Sequence, residues 1–319
     1  MTNLGRTGAS ALALLALAGC DGLSMLHGFP EPKIAVQGAL PIDMPYRAGK
    51  GGVVILSGRV DGRADIDFIL DTGAPVTVLI DGIQTAALGF DTTKARPLGP
   101  ADDPASPVGV IQPGMTVAFG NVTLFGLSAA VLPEKSLACP EKYQSVGFAG
   151  VIGADLFRRF VVEVDPVAAR VRLHDPAAWR MPDGAVAAPI RFDNGHPFID
   201  AKVTLPSGAT LDLPLHMDTG MNAALALVVG SHPALVMPVD GEVTRACYVG
   251  GIRDVRTGPP VAVAIGGAQF AQVRPGYSPK GDGPAVQQGG AVGSGLLSLR
   301  RYAIDYPRKR LVFLPTSNK

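Results

Sequence analysis

An all-β fold built as two similar lobes, with few and short helices, is what this 319-residue sequence predicts. Three observations predict it: a composition rich in chain-breaking residues, short apolar runs separated by turn residues, and an internal duplication. The first is the 40 glycines and 28 prolines that stand beside 47% hydrophobic residues. A helical bundle does not tolerate so many breakers, whereas a turn-rich β protein places them between strands.

The second is the run pattern from about residue 49 onward. Segments 53–56, 64–70, 76–80, 115–119 and 122–131 are apolar or alternating, and Gly, Pro, Asn and Asp separate them. Such runs read as strands. The best helix candidates of the first half are 154–160 and 176–179.

The third is self-similarity. Phe68-Ile-Leu-Asp-Thr-Gly73 matches Leu215-His-Met-Asp-Thr-Gly220, and Val117-Ala-Phe-Gly120 matches Val263-Ala-Ile-Gly266. The stretch 150–165 aligns without a gap to 290–305. Both copies then pass through a proline into basic residues and a closing strand, at 170–173 and 310–314. Three blocks in one order at nearly one offset define a duplication with its boundary near 181–188. The chain therefore divides into 1–19, 20–47, a first lobe at 48–182 and a second lobe at 183–319.

Each half carries one conspicuous motif: an apolar strand running into Asp-Thr-Gly, followed later by apolar-apolar-Gly. In the first half these are Asp71-Thr72-Gly73 and Val151-Ile152-Gly153; in the second, Asp218-Thr219-Gly220 and Ala291-Val292-Gly293. Two carboxyl groups brought close cannot both ionise cheaply, so they share a proton over a wide pH range. Such a pair has a general base and a general acid in one site and needs no metal or cofactor. The bland reading of each triplet is a tight turn, since Asp and Gly are common there.

The paired motifs, over about 49–314, resemble the pepsin-like and retropepsin-like aspartic peptidases. That resemblance implies a bilobal acid-protease fold and a peptide or protein substrate. It makes Asp71 and Asp218 the catalytic pair. Thr72 and Thr219 would cross the dyad axis and bond the opposite loop, and Gly73 and Gly220 would let the loops approach closely. Ile152, Gly153, Val292 and Gly293 would pack beside those loops. The chain departs from the pepsin pattern at Ala74 and Met221, where a Ser or Thr hydroxyl usually bonds the aspartate. Losing those bonds implies raised dyad pKa values and an optimum at mildly acidic to neutral pH.

By position, covering flaps are expected at 102–114 and 247–258. The first holds no tyrosine; Tyr248-Val-Gly250-Gly251-Ile252 resembles the glycine-rich flaps of retroviral enzymes, an ordinary hairpin turn being the other reading. Met221 and the missing flap tyrosine favour a second function class, a fold-retaining lipoprotein that binds peptides or a partner protein.

The N-terminus reads as an address. Arg6 precedes an apolar run, 9–18, too short to span a bilayer. It ends in Leu17-Ala18-Gly19-Cys20, which resembles the lipobox of bacterial lipoproteins. That implies a signal peptide at 1–19, a lipid on Cys20 and a membrane partner through that lipid. The site would be the cell envelope, facing the periplasm, and Asp21 favours the inner membrane. Prolines at 30, 32, 41 and 45 make 20–47 read as a tether, and no further pro-segment is expected. Cys139 and Cys247 can pair in an oxidising compartment; two buried free thiols is the equal alternative.

Other features exclude more than they suggest. A formal net charge of +1 without a basic face argues against nucleic acid. The histidines at 27, 174, 196 and 232 have no metal-ligand spacing, so no metal is expected. His216 shares a strand face with Asp218; a satisfied, partly buried histidine is the expectation, with tuning of Asp218 the alternative. Asp65 and Asp67 read as solvated, and Asp165 and Asp305 as turn formers. No Gly-x-Ser-x-Gly elbow is present for a serine hydrolase. A monomer is expected.

Overall fold

The computed structural model describes residues 29–99, 106–140, 147–248, 251–281 and 288–315. Cys20 and the signal segment lie outside these residues. The described chain is mostly strand, in a nine-stranded and a fifteen-stranded sheet.

The duplication is visible as register. In the first lobe, strand Ala64–Leu70 receives Gly150–Ile152 in parallel, with Phe68 opposite Gly150. In the second, Thr210–Asp218 receives Gly290–Gly293 in parallel, with Leu215 opposite Gly290. Each inserted strand also pairs antiparallel with the strand that leaves its aspartate loop, Thr77–Asp81 or Leu225–Val229. Ala64–Leu70 shows why the sequence changes period within one strand. Asp65 and Asp67 point outward at its solvated end, whereas Phe68, Ile69 and Leu70 are all buried where strands flank it on both sides. Gly150 is required there, because a Cβ would lie 2.4 Å from the Phe68 ring.

A six-stranded layer joins the lobes. Val186–Asp193, Arg310–Phe313 and Tyr302–Asp305 from the second lobe continue into Val161–Asp165 and Arg170–His174 from the first, and then into Ile42–Pro45. At its centre Val162 faces Ile304, Glu163 faces Ala303 and Val164 faces Tyr302. Glu163 pairs with Arg301 of the second lobe at 2.7 Å and hydrogen-bonds His174 of its own lobe at 2.8 Å, so it is held from both lobes. Asp165 and Asp305 do form the following turns: their Oδ1 atoms accept from Val167 and Ala168, and from Arg308. Both also hold arginines, Arg301 and Arg310 respectively.

Three expectations need correction. Segment 33–45 is not simply a tether: Lys33–Val36 pairs with Val122–Pro133, and Ile42–Pro45 closes the interlobe layer. Its alternating Ile34 and Val36, then Ile42 and Met44, supply a half-buried face, and Pro41 and Pro45 fall at strand ends, where no ladder donor is missed. Segment 176–179 is a turn, held by the Ala178 and Trp179 amides on the Asp175 carbonyl. The helix expected over 154–160 is one turn, Ala154–Phe157, because Val161 and Val162 already belong to a strand. Among the described residues no helix is long and apolar enough to cross a membrane.

Candidate active site

The two Asp-Thr-Gly loops meet at the lobe boundary, each at the end of a buried strand. The threonines lock them reciprocally. Thr72 N–H donates to Thr219 Oγ1 at 3.0 Å, and Thr219 N–H to Thr72 Oγ1 at 3.1 Å. Each hydroxyl donates onward to the strand of the opposite lobe: Thr72 to the Met217 carbonyl at 2.5 Å, Thr219 to the Leu70 carbonyl at 2.8 Å. Four bonds between buried groups thus fix one loop relative to the other.

The carboxyls are held by amides. Asp71 Oδ1 accepts from Gly73 at 2.7 Å and from Gly220, across the boundary, at 3.1 Å. Asp218 Oδ1 accepts from Met221 at 2.8 Å. Both aspartates are fully buried; among the described residues no other group bonds either Oδ2, and the two carboxyls are within hydrogen-bond reach of each other. They lie side by side: a Cβ on Gly73 would sit 3.2 Å from Asp71 Oδ1 and 3.4 Å from Asp218 Cγ. A Cβ on Gly220 would come within 2.5 Å of Asp71 Oδ2.

This environment splits the pair. Burial raises the Asp71 carboxyl above its ordinary value, while the Gly73 and Gly220 amides pull it back. Burial, and then the neighbouring charge of Asp71, push Asp218 well above that range. Asp218 is therefore the one that keeps a proton, and Asp71 the one that ionises first.

The Ile152 carbonyl accepts from the Asp71 amide at 2.9 Å. Gly153 and Gly293 touch the opposite turn of their own loops: a Cβ would lie 2.0 Å from the Ala74 carbonyl in one case and 2.3 Å from the Ala223 carbonyl in the other. Val292 is buried and pairs with Met217 and Leu225. Met221 and Ala74 are buried and send no hydroxyl to the aspartates.

Cys139 and Cys247 form a disulfide that closes a separation of 108 residues. Tyr248 and Gly251 belong to hairpin 243–257, with Arg253 over the Tyr248 ring at 5.9 Å; Gly250 lies outside the described residues. In the first lobe Arg96–Pro97 pairs with Val108–Phe119 at the foot of the expected flap, whose residues 102–105 lie outside the description.

His216 corrects its expectation. It is wholly buried, its ring nitrogens have no hydrogen-bond partner among the described residues, and it packs edge-on against His196 with ring centroids 5.4 Å apart. Burial, then His196, hold it well below the usual imidazole range, so it is neutral. Its Cε1 would lie 3.3 Å from a Cβ on Gly73.

Two further residues complete the back of the site. Ser294 Oγ donates to the Thr219 carbonyl at 2.6 Å, and Tyr306 Oη to the Thr72 carbonyl at 3.3 Å. Ser294 aligns with Ala154 in the duplication, so comparing the halves at that position would have exposed it as a polar residue peculiar to one lobe. Tyr306 carried no such signal. Among the described residues, no cluster of three His, Cys, Asp or Glu side chains could hold a metal ion.

No family model matches the chain, and no curated protein matches it in sequence. In structure it is similar to an aspartic proteinase from Irpex lacteus, with a TM-score of 0.51 over 87% of this chain and 98% of that one. Identity is 13%, so the likeness is one of fold: this is an all-β, pepsin-like, two-lobed architecture.

Proposed function

We propose that the chain is an aspartic-type endopeptidase in which Asp71 and Asp218 activate water between them. The observation that carries the reading is the interlocked pair of Asp-Thr-Gly loops, with one carboxyl held by two amides and the other pushed toward protonation. Asp71 takes a proton from water as the oxygen attacks the peptide carbonyl carbon. Asp218 gives its proton to the carbonyl oxygen, which becomes a diol hydroxyl. When the C–N bond breaks, the amine leaves with the proton that Asp71 took, and the diol hydroxyl returns its proton to Asp218. The Thr72–Thr219 lock keeps the carboxyls placed through both steps, and such positioning lowers the barrier by avoiding the entropy of bringing the groups together.

The test is hydrolysis of a linear peptide library by the full chain from pH 3 to 8, beside Asp71→Asn and Asp218→Asn. Cleavage lost in both variants supports the reading. A folded, intact chain that cleaves nothing at any pH replaces it with the peptide-binding module.

We also propose that the protein acts as a monomer, held by a lipid on Cys20 in the bacterial envelope and facing the periplasm. The anchor and its compartment rest on Leu17-Ala18-Gly19-Cys20 alone. Incorporation of labelled fatty acid that persists in Cys20→Ala would end it.

A further inference from the structure

Hairpin 243–257 belongs to the second lobe, yet its far end is fastened to the first. Only its foot joins the second-lobe sheet, where Arg256 and Thr257 pair with Tyr277 and Gly276. From there, among the described residues, it continues as two strands paired with each other, up to Cys247, opposite Ile252, and Tyr248, opposite Gly251. Cys247 is bonded to Cys139 and packs in the first-lobe cluster that contains Ala74, Val76 and Val151. Tyr248, the next residue, packs with Met221, Ala223 and Ala291 of the second lobe.

Ala74 and Met221 are the residues that directly follow Gly73 and Gly220. Cys247 thus shares an apolar cluster with Ala74 of the first aspartate loop, and Tyr248 shares one with Met221 of the second. On the other side of the dyad the threonine lock, Tyr306 and the interlobe layer close the site. The carboxyls between these walls have no exposure to solvent.

Room for a guest lies beside the bridge. A cavity of about 1250 Å³ is walled by Asn222, Ala223 and Leu225, which leave the Asp218 loop, by Glu242 and Thr244 at the hairpin foot, and by Lys50 of the first lobe. Neither aspartate is among the residues that line it.

We propose that the hairpin and its disulfide form a covalent bridge over the dyad, so that substrates enter by threading a free chain end: the substrate class is linear, unfolded polypeptide with at least one unblocked end. This rests on the peptidase reading. A hinged flap can lift to admit the middle of a chain. A strap tied at both ends admits only what passes beneath it.

The experiment uses the full, oxidised chain and one cleavable sequence in four forms: linear, cyclised head to tail, fused to a stably folded domain at one end, and fused at both ends. The first and third are cleaved; the ring and the doubly blocked form persist. In Cys139→Ser/Cys247→Ser both resistant forms become substrates, while cleavage of the linear form continues. Equal cleavage of the ring or the doubly blocked form by the oxidised chain overturns the bridge and leaves the peptidase standing. Resistance unchanged in the folded double variant also overturns it. If the double variant does not fold, the contrast between one and two blocked ends decides on the natural protein alone. A linear form left intact removes the peptidase reading and this inference together.

Discussion

The amide of Gly220, in the second lobe, donates to Oδ1 of Asp71, in the first, at 3.1 Å. This approach leaves no room for a side chain, since a Cβ on Gly220 would stand 2.5 Å from Asp71 Oδ2. Gly220→Ala must push the carboxylate aside, and a displacement near 1 Å costs about 100-fold in rate. At Gly73 the nearest atom would be 3.2 Å away, so Gly73→Ala requires only a few tenths of an ångström. Its loss should stay under about tenfold. Initial rates of peptide hydrolysis by the two variants check the order.

The threonine lock makes a stability prediction. Thr72→Val keeps the shape but strips a donor from the Met217 carbonyl and an acceptor from the Thr219 amide, both buried. Leaving these groups unpaired should cost about 2–4 kcal/mol, and Thr72→Ser, which keeps the hydroxyl, about 1 kcal/mol or less. Urea unfolding at neutral pH separates the two. Equal costs would show that the methyl, and not the hydroxyl, is what matters.

The dyad works against the fold at neutral pH. Asp218 is raised in the folded chain, so between its ordinary value of about 3.9 and its folded value the native state holds the extra proton. Stability from this group is therefore complete below about pH 3.9 and falls as pH rises through the folded value. Asp218→Asn removes the charge that burial penalises. The variant should be inactive yet melt higher than the parent at pH 7, with the difference vanishing near pH 3.5. A melting curve lowered at pH 7 would contradict this.

His216 acts with the opposite sign. It is lowered in the folded chain, so below about pH 6.5 the unfolded state takes up a proton that the native state refuses. Its contribution is whole above that pH and is lost as pH falls, at up to about 1.4 kcal/mol per pH unit for one proton. Ile69 occupies the equivalent place in the first lobe, which makes His216→Ile the natural control. That variant should be less acid-sensitive between pH 6.5 and 5, as read from thermal unfolding in that window.

The fold and the dyad were legible because duplication writes them twice. Asp71 and Asp218 could each pass for a turn residue, but the same strand before and the same Gly-closing strand after both triplets fix their place. The lock was legible only through resemblance, since no local pattern says that Thr72 reaches Met217. What stayed hidden depends on tertiary contact across long separations. The strand role of Ile42–Pro45 was masked by its prolines, which are harmless at strand ends. Pairing of Cys139 with Cys247 needed the hairpin's path, and spacing does not give that path. His216 read as satisfied because a strand pattern shows direction but not what lies at its end.

The interlobe seam carries a record of descent. Its register is self-complementary: Glu163 and Ala303, which align in the duplication, face each other, and their neighbours exchange places around them. Two copies of a half-length chain would pair along this same edge and close a symmetric dimer. In two copies of the present first lobe, however, Glu163 would oppose Glu163, and like charges directly across a ladder repel. Ala303 removes that conflict, and Arg301, in the second lobe, binds the remaining carboxylate. The first half is thus complementary to the second at this edge and not to a copy of itself.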